Sequence, residues 1–167
     1  KKMGIAQEKP IGGEWTLSFP EGWDVPAQVK VKELKAWKDL DFSAEGKAFS
    51  GSVKYSTKFV ADKADVQSGG VKLDLGKVDM IATVKLNGKA LATLWCAPYS
   101  LDISKAIVEG ENELEIEVTS TWFNRLVYDA AQPESERKTW TISGPSANNA
   151  LRESGLMGPV KLVFGKK

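Results

Sequence analysis

Apolar and polar residues change places at every second position through most of this chain, and no other property restricts its fold as much. A β-strand turns successive side chains to opposite faces, so this alternation predicts strands with one face in a core and the other in water. In FSGSVKYSTKF the residues Phe49, Val53, Tyr55 and Phe59 share one face, while Ser50, Ser52, Lys54, Ser56 and Lys58 share the other. EWTLSF sets Trp15, Leu17 and Phe19 against Thr16 and Ser18, and QVKVKE sets Val29 and Val31 against Lys30 and Lys32.

GVKLDLG and VDMIATVKL continue the pattern, and the second runs into Asn87-Gly88. That pair tolerates positive φ at both positions and predicts a tight hairpin, with KALATLW returning antiparallel. LEIEV, the segment around KTWTIS and PVKLVF bring the total to roughly eight or nine strands. Helix signals are few: DISKAIVEGEN has Ser104 as an N-cap and Gly110 as a stop, enough for about one or two turns. The expected fold class is all-β, an antiparallel jelly-roll β-sandwich of two sheets. Its core should hold Trp15, Val53, Tyr55, Leu73, Val84, Leu114, Ile116 and Leu162. Stretches from Pro20 to Pro26 and from Gly144 to Gly158 read as long loops within one domain, 1–167, of which 1–10 is expected to be a flexible N-terminal extension.

Several functions are disfavoured by what the chain contains. Its 23 Lys and Arg against 22 Asp and Glu give a formal charge of +1, which offers nothing to nucleic acid or an anionic membrane. No segment reaches the roughly 20 apolar residues of a membrane span, so membrane insertion is not expected, and KKMGIAQEKP lacks the apolar core of a signal peptide. The chain contains 0 His, which removes imidazole-based catalysis and the usual His-containing zinc sites. Cys96 is the single cysteine and, between Trp95 and Ala97, reads as a small buried hydrophobe.

Carboxylate chemistry remains to be weighed. Glu111, Glu113, Glu115 and Glu117 alternate with Leu114, Ile116 and Val118, so they line the wet face of a strand. Glu134 and Glu136 fall in the polar run QPESERK, an exposed loop without the desolvation that tunes a catalytic acid. No pair suited to glycoside hydrolysis emerges, so no catalytic residue is assigned. Asp102 is read as a capping residue, with a share in a structural calcium site as the less favoured alternative, and no other cofactor is expected. Of the tryptophans, Trp15 and Trp140 alternate in step with core positions, whereas Trp23 and Trp37 could be sugar platforms or loop anchors.

TSTWFNRLVYD, Thr119 to Asp129, concentrates rings, an amide, a guanidinium and a carboxylate. Rings stack on sugar faces and planar polar groups bind hydroxyls, but the same groups can lock a fold. Strand parity carried on from Leu114, Ile116 and Val118 puts Ser120 and Trp122 on the core face, then Asn124, with Arg125 opposite. A guanidinium at the end of a sandwich needs acceptors, and Asp129 with loop carbonyls would supply them over a packed Trp122. The lock is favoured over the sugar site.

The segments LNGKALATLWCAPYSLDISKAIVEGENELEIEV, TWFNRLVYD, KTWT and SGLMGPVKLVF, with IGGEWTLSFPEGWDVP near the start, are similar as an ordered set to the galactose-binding-like β-sandwich of glycoside hydrolases. The set resembles the sugar-binding domain of β-galactosidase and β-glucuronidase relatives, and more closely the carboxyl-terminal accessory domain of bacterial α-L-rhamnosidases. The resemblance implies a noncatalytic carbohydrate-binding or accessory domain, with carbohydrate and the catalytic domain of a parent hydrolase as partners, in an exported periplasmic or extracellular protein. The residues a sugar would meet are Trp95, Tyr99, Trp122, Asn124, Arg125, Tyr128 and Asp129. A purely structural domain packed on a catalytic barrel is the alternative, and a small stand-alone glycosidase the third.

Overall fold

The computed structural model describes residues 7–165. Six strands form the larger sheet: β2 (Trp15–Ser18), β3 (Gln28–Val31), β4 (Ser52–Ala61), β7 (Ile81–Leu86), β8 (Lys89–Leu94) and β10 (Gly110–Thr119), in the order β3-β2-β4-β10-β7-β8. Four form the second: β1 (Gln7–Pro10), β5 (Val71–Asp74), β9 (Ser100–Asp102) and β12 (Lys161–Phe164), in the order β1-β12-β5-β9. A two-stranded ribbon pairs β6 (Lys77–Val78) with β11 (Leu156–Gly158). Strands within each sheet pair antiparallel, and the molecule is the all-β sandwich that alternation predicts.

The long β4 and β10 are its spine. Their register sets Val53 opposite Val118, Tyr55 opposite Ile116 and Thr57 opposite Leu114, so one face of the pair is buried and largely apolar. All eight predicted core residues are buried, those of β2, β4, β7 and β10 facing Leu73 and Leu162 of the smaller sheet. On the opposite face of β10, Glu111, Glu113 and Glu117 are exposed, as expected for a wet strand face. The predicted hairpin is present: Leu86 pairs with Lys89 across Asn87 and Gly88, whose φ values are 52° and 76°.

Deep in the sandwich the Trp37 indole N–H donates to the Tyr55 hydroxyl at 2.6 Å, and the backbone N–H of Leu156 donates to the same oxygen at 3.1 Å. Burial pushes the Tyr55 phenol up to about 12, against the opposing pull of those two bonds. Trp37 is therefore a core anchor and not a sugar platform.

The structure departs from the sequence reading in several places. KTWTIS forms no strand, and Trp140 is 75% exposed instead of buried. The preceding Thr139 is tied by its N–H and hydroxyl to Asp129, which holds the segment against a helix and away from either sheet. DISKAIVEGEN runs from the last residue of β9 through a turn into the start of β10 and forms no helix, because the Ser104 hydroxyl accepts from the N–H of Val71 while the Ser104 N–H donates to Asp102. Among the described residues, three short α-helices lie elsewhere: α1 (Ala44–Lys47), α2 (Lys63–Gln67) and α3 (Phe123–Ala130). Of the supposed N-terminal extension, Gln7–Pro10 is the paired edge strand β1, and residues 1–6 lie outside the described residues. Cys96 is exposed. Ser50, expected on the outer face, is 1% exposed.

Candidate functional site

The chemistry-rich stretch does not continue as a strand. β10 ends at Thr119, and Phe123–Ala130 winds into α3, with Trp122 at its N-cap position and 46% exposed. The parity argument for Trp122 fails there, because at helical spacing residues 125 and 129 fall on one face. Arg125 and Asp129, each 1% exposed, are that face.

The pair is bidentate. Arg125 Nε donates to Asp129 Oδ2 at 3.0 Å and Nη2 donates to Oδ1 at 2.7 Å. The remaining arm of the guanidinium, Nη1, donates to Glu45 Oε1 of α1 at 2.8 Å. Lys138 Nζ donates to the same Glu45 oxygen at 2.7 Å and to the carbonyl of Gly22 at 2.8 Å. Asp129 Oδ2 also accepts from the Thr139 N–H at 2.7 Å and hydroxyl at 2.6 Å. The Arg125 backbone N–H donates to Ser50 Oγ at 3.1 Å, which explains the burial of that serine. Rings flank the guanidinium carbon, Trp23 at 5.2 Å and Tyr128 at 5.1 Å, both within cation–π range.

Burial by itself would raise the Asp129 carboxyl, but the bonds from Arg125 and Thr139 outweigh it and hold the group below the usual carboxylate range. Bonds from Lys138 and Arg125 lower the Glu45 carboxyl likewise. Both acids are ionised near neutral pH, so neither has a proton to give as a general acid.

Asn124 is equally committed. Its amide nitrogen donates to the Arg152 carbonyl at 2.8 Å, and its oxygen accepts from the Arg152 N–H at 2.8 Å. Three of the seven sequence-predicted residues, Asn124, Arg125 and Asp129, thus form a lock joining α1, α3 and the loops carrying Gly22, Lys138 and Arg152. Trp122 and Tyr128 lie at its rim, where Trp122 meets Trp23 with ring centroids 5.5 Å apart. Trp95 and Tyr99 sit apart, in the connection from β8 to β9. Trp95 is 74% exposed, and the Tyr99 hydroxyl donates to the Met80 carbonyl at 2.7 Å.

Glu45, Ser50, Lys138 and Thr139 were not singled out from the sequence as part of the lock. Lys138 and Glu45 are 93 positions apart, and no local pattern joins them.

Asp102 accepts from the Ser104 N–H at 2.8 Å, and bonds from Ser104 lower its carboxyl, which is the turn-capping role expected. A cavity of about 500 Å³ lies on the outer face of the larger sheet among Glu14, Thr16, Ser56, Lys58, Lys85 and Glu115. None of its lining residues is aromatic, and Glu115 faces Lys85 at 3.6 Å and Lys54 at 3.7 Å. That face is a solvated charge ladder.

Comparison with known proteins agrees with this architecture. A rhamnosidase structure from Novosphingobium sp. PP1Y superposes with a TM-score of 0.82 at 36% identity, covering 98% of this chain and 16% of that one. A candidate beta-glucuronidase of Formosa agariphila is 36% identical over 95% of this chain, which spans 16% of its length. An uncultured Clostridium sp. beta-glucuronidase shares the fold, with a TM-score of 0.71 at 20% identity over 97% of this chain and 29% of its own. The chain therefore spans about a sixth of the first two relatives. The glycosyl hydrolase 2 galactose-binding domain-like profile matches residues 43–157, well over half of the sequence, and the chain belongs to that family.

Proposed function

We propose that the chain is a noncatalytic accessory module of a larger glycoside hydrolase, of the rhamnosidase or glucuronidase type, in a periplasmic or extracellular enzyme. It contributes a rigid sandwich and a held set of loops, not acid–base chemistry. The observation that carries this reading is the closed state of the Arg125, Asp129 and Glu45 cluster. The groups best suited to sugar hydroxyls or proton transfer are bonded to one another and ionised.

A second reading, carbohydrate binding, is favoured by the 74% exposure of Trp95 and the half-exposed ring of Trp122. Under it Trp95, Tyr99, Trp122 and Tyr128 would supply stacking faces, with Asn124, Arg125 and Asp129 behind them. Calorimetric titration of the chain with rhamnose- and glucuronate-containing oligosaccharides separates the two. The accessory reading expects no heat of binding. Saturable binding abolished by Trp95→Ala would establish the second reading instead.

A further inference from the structure

The exposed apolar side chains of this molecule are unevenly placed. Strand registers define the two ends of the sandwich: Thr119 of β10 lies opposite Ser52 of β4 and Ile81 of β7, Ala82 lies opposite Leu94 of β8, and Ser18 of β2 lies opposite Lys54. The loops leaving those positions therefore emerge together, and they carry Trp23, Met80, Trp95 and Trp122. Helix α3 starts at the same end. Bound along it, through Thr139 on Asp129, is the segment holding Trp140 and Ile142, which lines a cleft with Leu126 and Ala130. Trp23, Trp95 and Trp122 thus leave the sandwich at this end, Trp140 is held along the helix that starts there, and the other two tryptophans, Trp15 and Trp37, are in the core.

Exposure there is large: Trp140 75%, Trp95 74%, Ile142 90%, Met80 43% and Ile81 38%. Single exposed hydrophobes are ordinary on protein surfaces, but a set of them at one end marks a contact surface. The chemistry separates a sugar from a protein as the occupant. A sugar subsite needs directional polar groups beside its rings, and at this end Arg125, Asp129 and Asn124 are consumed internally. Ile142, Met80 and Ile81 offer no ring to stack on a pyranose. Exposed tryptophan and methionine together are instead the composition of a protein–protein contact core.

We infer that this end of the sandwich is a protein-docking face whose occupant is the catalytic portion of the same, longer hydrolase polypeptide. The inference rests on the accessory-module reading, and the sixfold greater length of the two 36% identical relatives leaves ample chain to supply that occupant. The lock then has a purpose beyond stability. It fixes α3 and the Thr139 segment, so that Trp140 and Ile142 are held in place before docking and little ordering remains to be done on contact.

Hydroxyl-radical labelling with mass spectrometry tests this on the 167-residue chain and on the parent enzyme. Trp95, Trp140 and Met80 should label severalfold more slowly in the parent, while Val60 and Val108, at the opposite end, label alike in both. The double substitution Trp140→Ser with Ile142→Ser should leave the melting temperature of the chain unchanged and lower that of the parent. Equal labelling of Trp95 and Trp140 in the two forms overturns the inference. So does protection of those rings in the chain alone by oligosaccharide, which would make the occupant a sugar. Absence of glycoside turnover by the parent enzyme would instead defeat the module reading, whatever the labelling shows.

Discussion

Removing the guanidinium of Arg125 would leave Asp129 buried against Thr139 with no countercharge and would free Glu45 from one of its two cations. Truncating one partner of a buried, bidentate pair costs far more than the pair contributes net, since the remaining charge stays desolvated. Arg125→Ala should therefore lower the unfolding free energy by about 2 to 4 kcal/mol in urea titrations, and Arg125→Lys should recover only part of it because an ammonium cannot make the fork. The acids set a pH dependence as well. Their folded-state pKa values lie below the unfolded ones, so their contribution is complete above the unfolded values, about 4, and is lost as pH falls through the depressed ones. Urea midpoints should be flat from pH 7 to about pH 5 and drop below about pH 4. Glu45→Gln should make that drop shallower.

Among elements, the loop that runs into β11 depends on one small residue. Gly155 has φ of 106°, and a Cβ there would lie 2.5 Å from the Trp37 indole nitrogen and 2.8 Å from the Tyr55 hydroxyl. The two atoms are bonded to each other, and the Tyr55 hydroxyl also accepts from the Leu156 N–H of the loop, so neither can move freely. Gly155→Ala should cost about 1 to 3 kcal/mol and shift the indole N–H resonance of Trp37. The strands themselves were legible in the sequence because burial on one face imposes a period of two, and β4, β7 and β10 obey it almost residue by residue. α3 was not legible. Its buried face consists of Asn124, Arg125, Val127 and Asp129, so a polar residue marks most of the interior positions that an apolar pattern would normally reveal. The Arg125–Asp129 pairing was readable from residue chemistry, whereas Trp140 was misread because alternation continues through KTWTIS after the sheet has ended. Glu45 and Lys138 enter the lock through tertiary proximity alone, which no local spacing encodes.

For the molecule as a whole, the ionised state of the two best-placed acids argues that purified chain will not turn over aryl rhamnosides or glucuronides. Glycoside hydrolysis needs one carboxyl protonated near the working pH, and Glu45 and Asp129 share a guanidinium that keeps both charged. Turnover above buffer that vanishes with a single Asp or Glu substitution would refute this. The pairing of β1 with β12 has a different consequence. Gln7 lies opposite Phe164, so a polypeptide entering through the first described strand and leaving through the last does so within about one inter-strand spacing, roughly 5 Å. Such a unit can be spliced into a surface turn of a host enzyme as readily as it can be appended to an end, because the host turn need not be pulled apart to receive it. Transplanting residues 7–165 into an exposed loop of an unrelated carrier should leave both melting transitions intact.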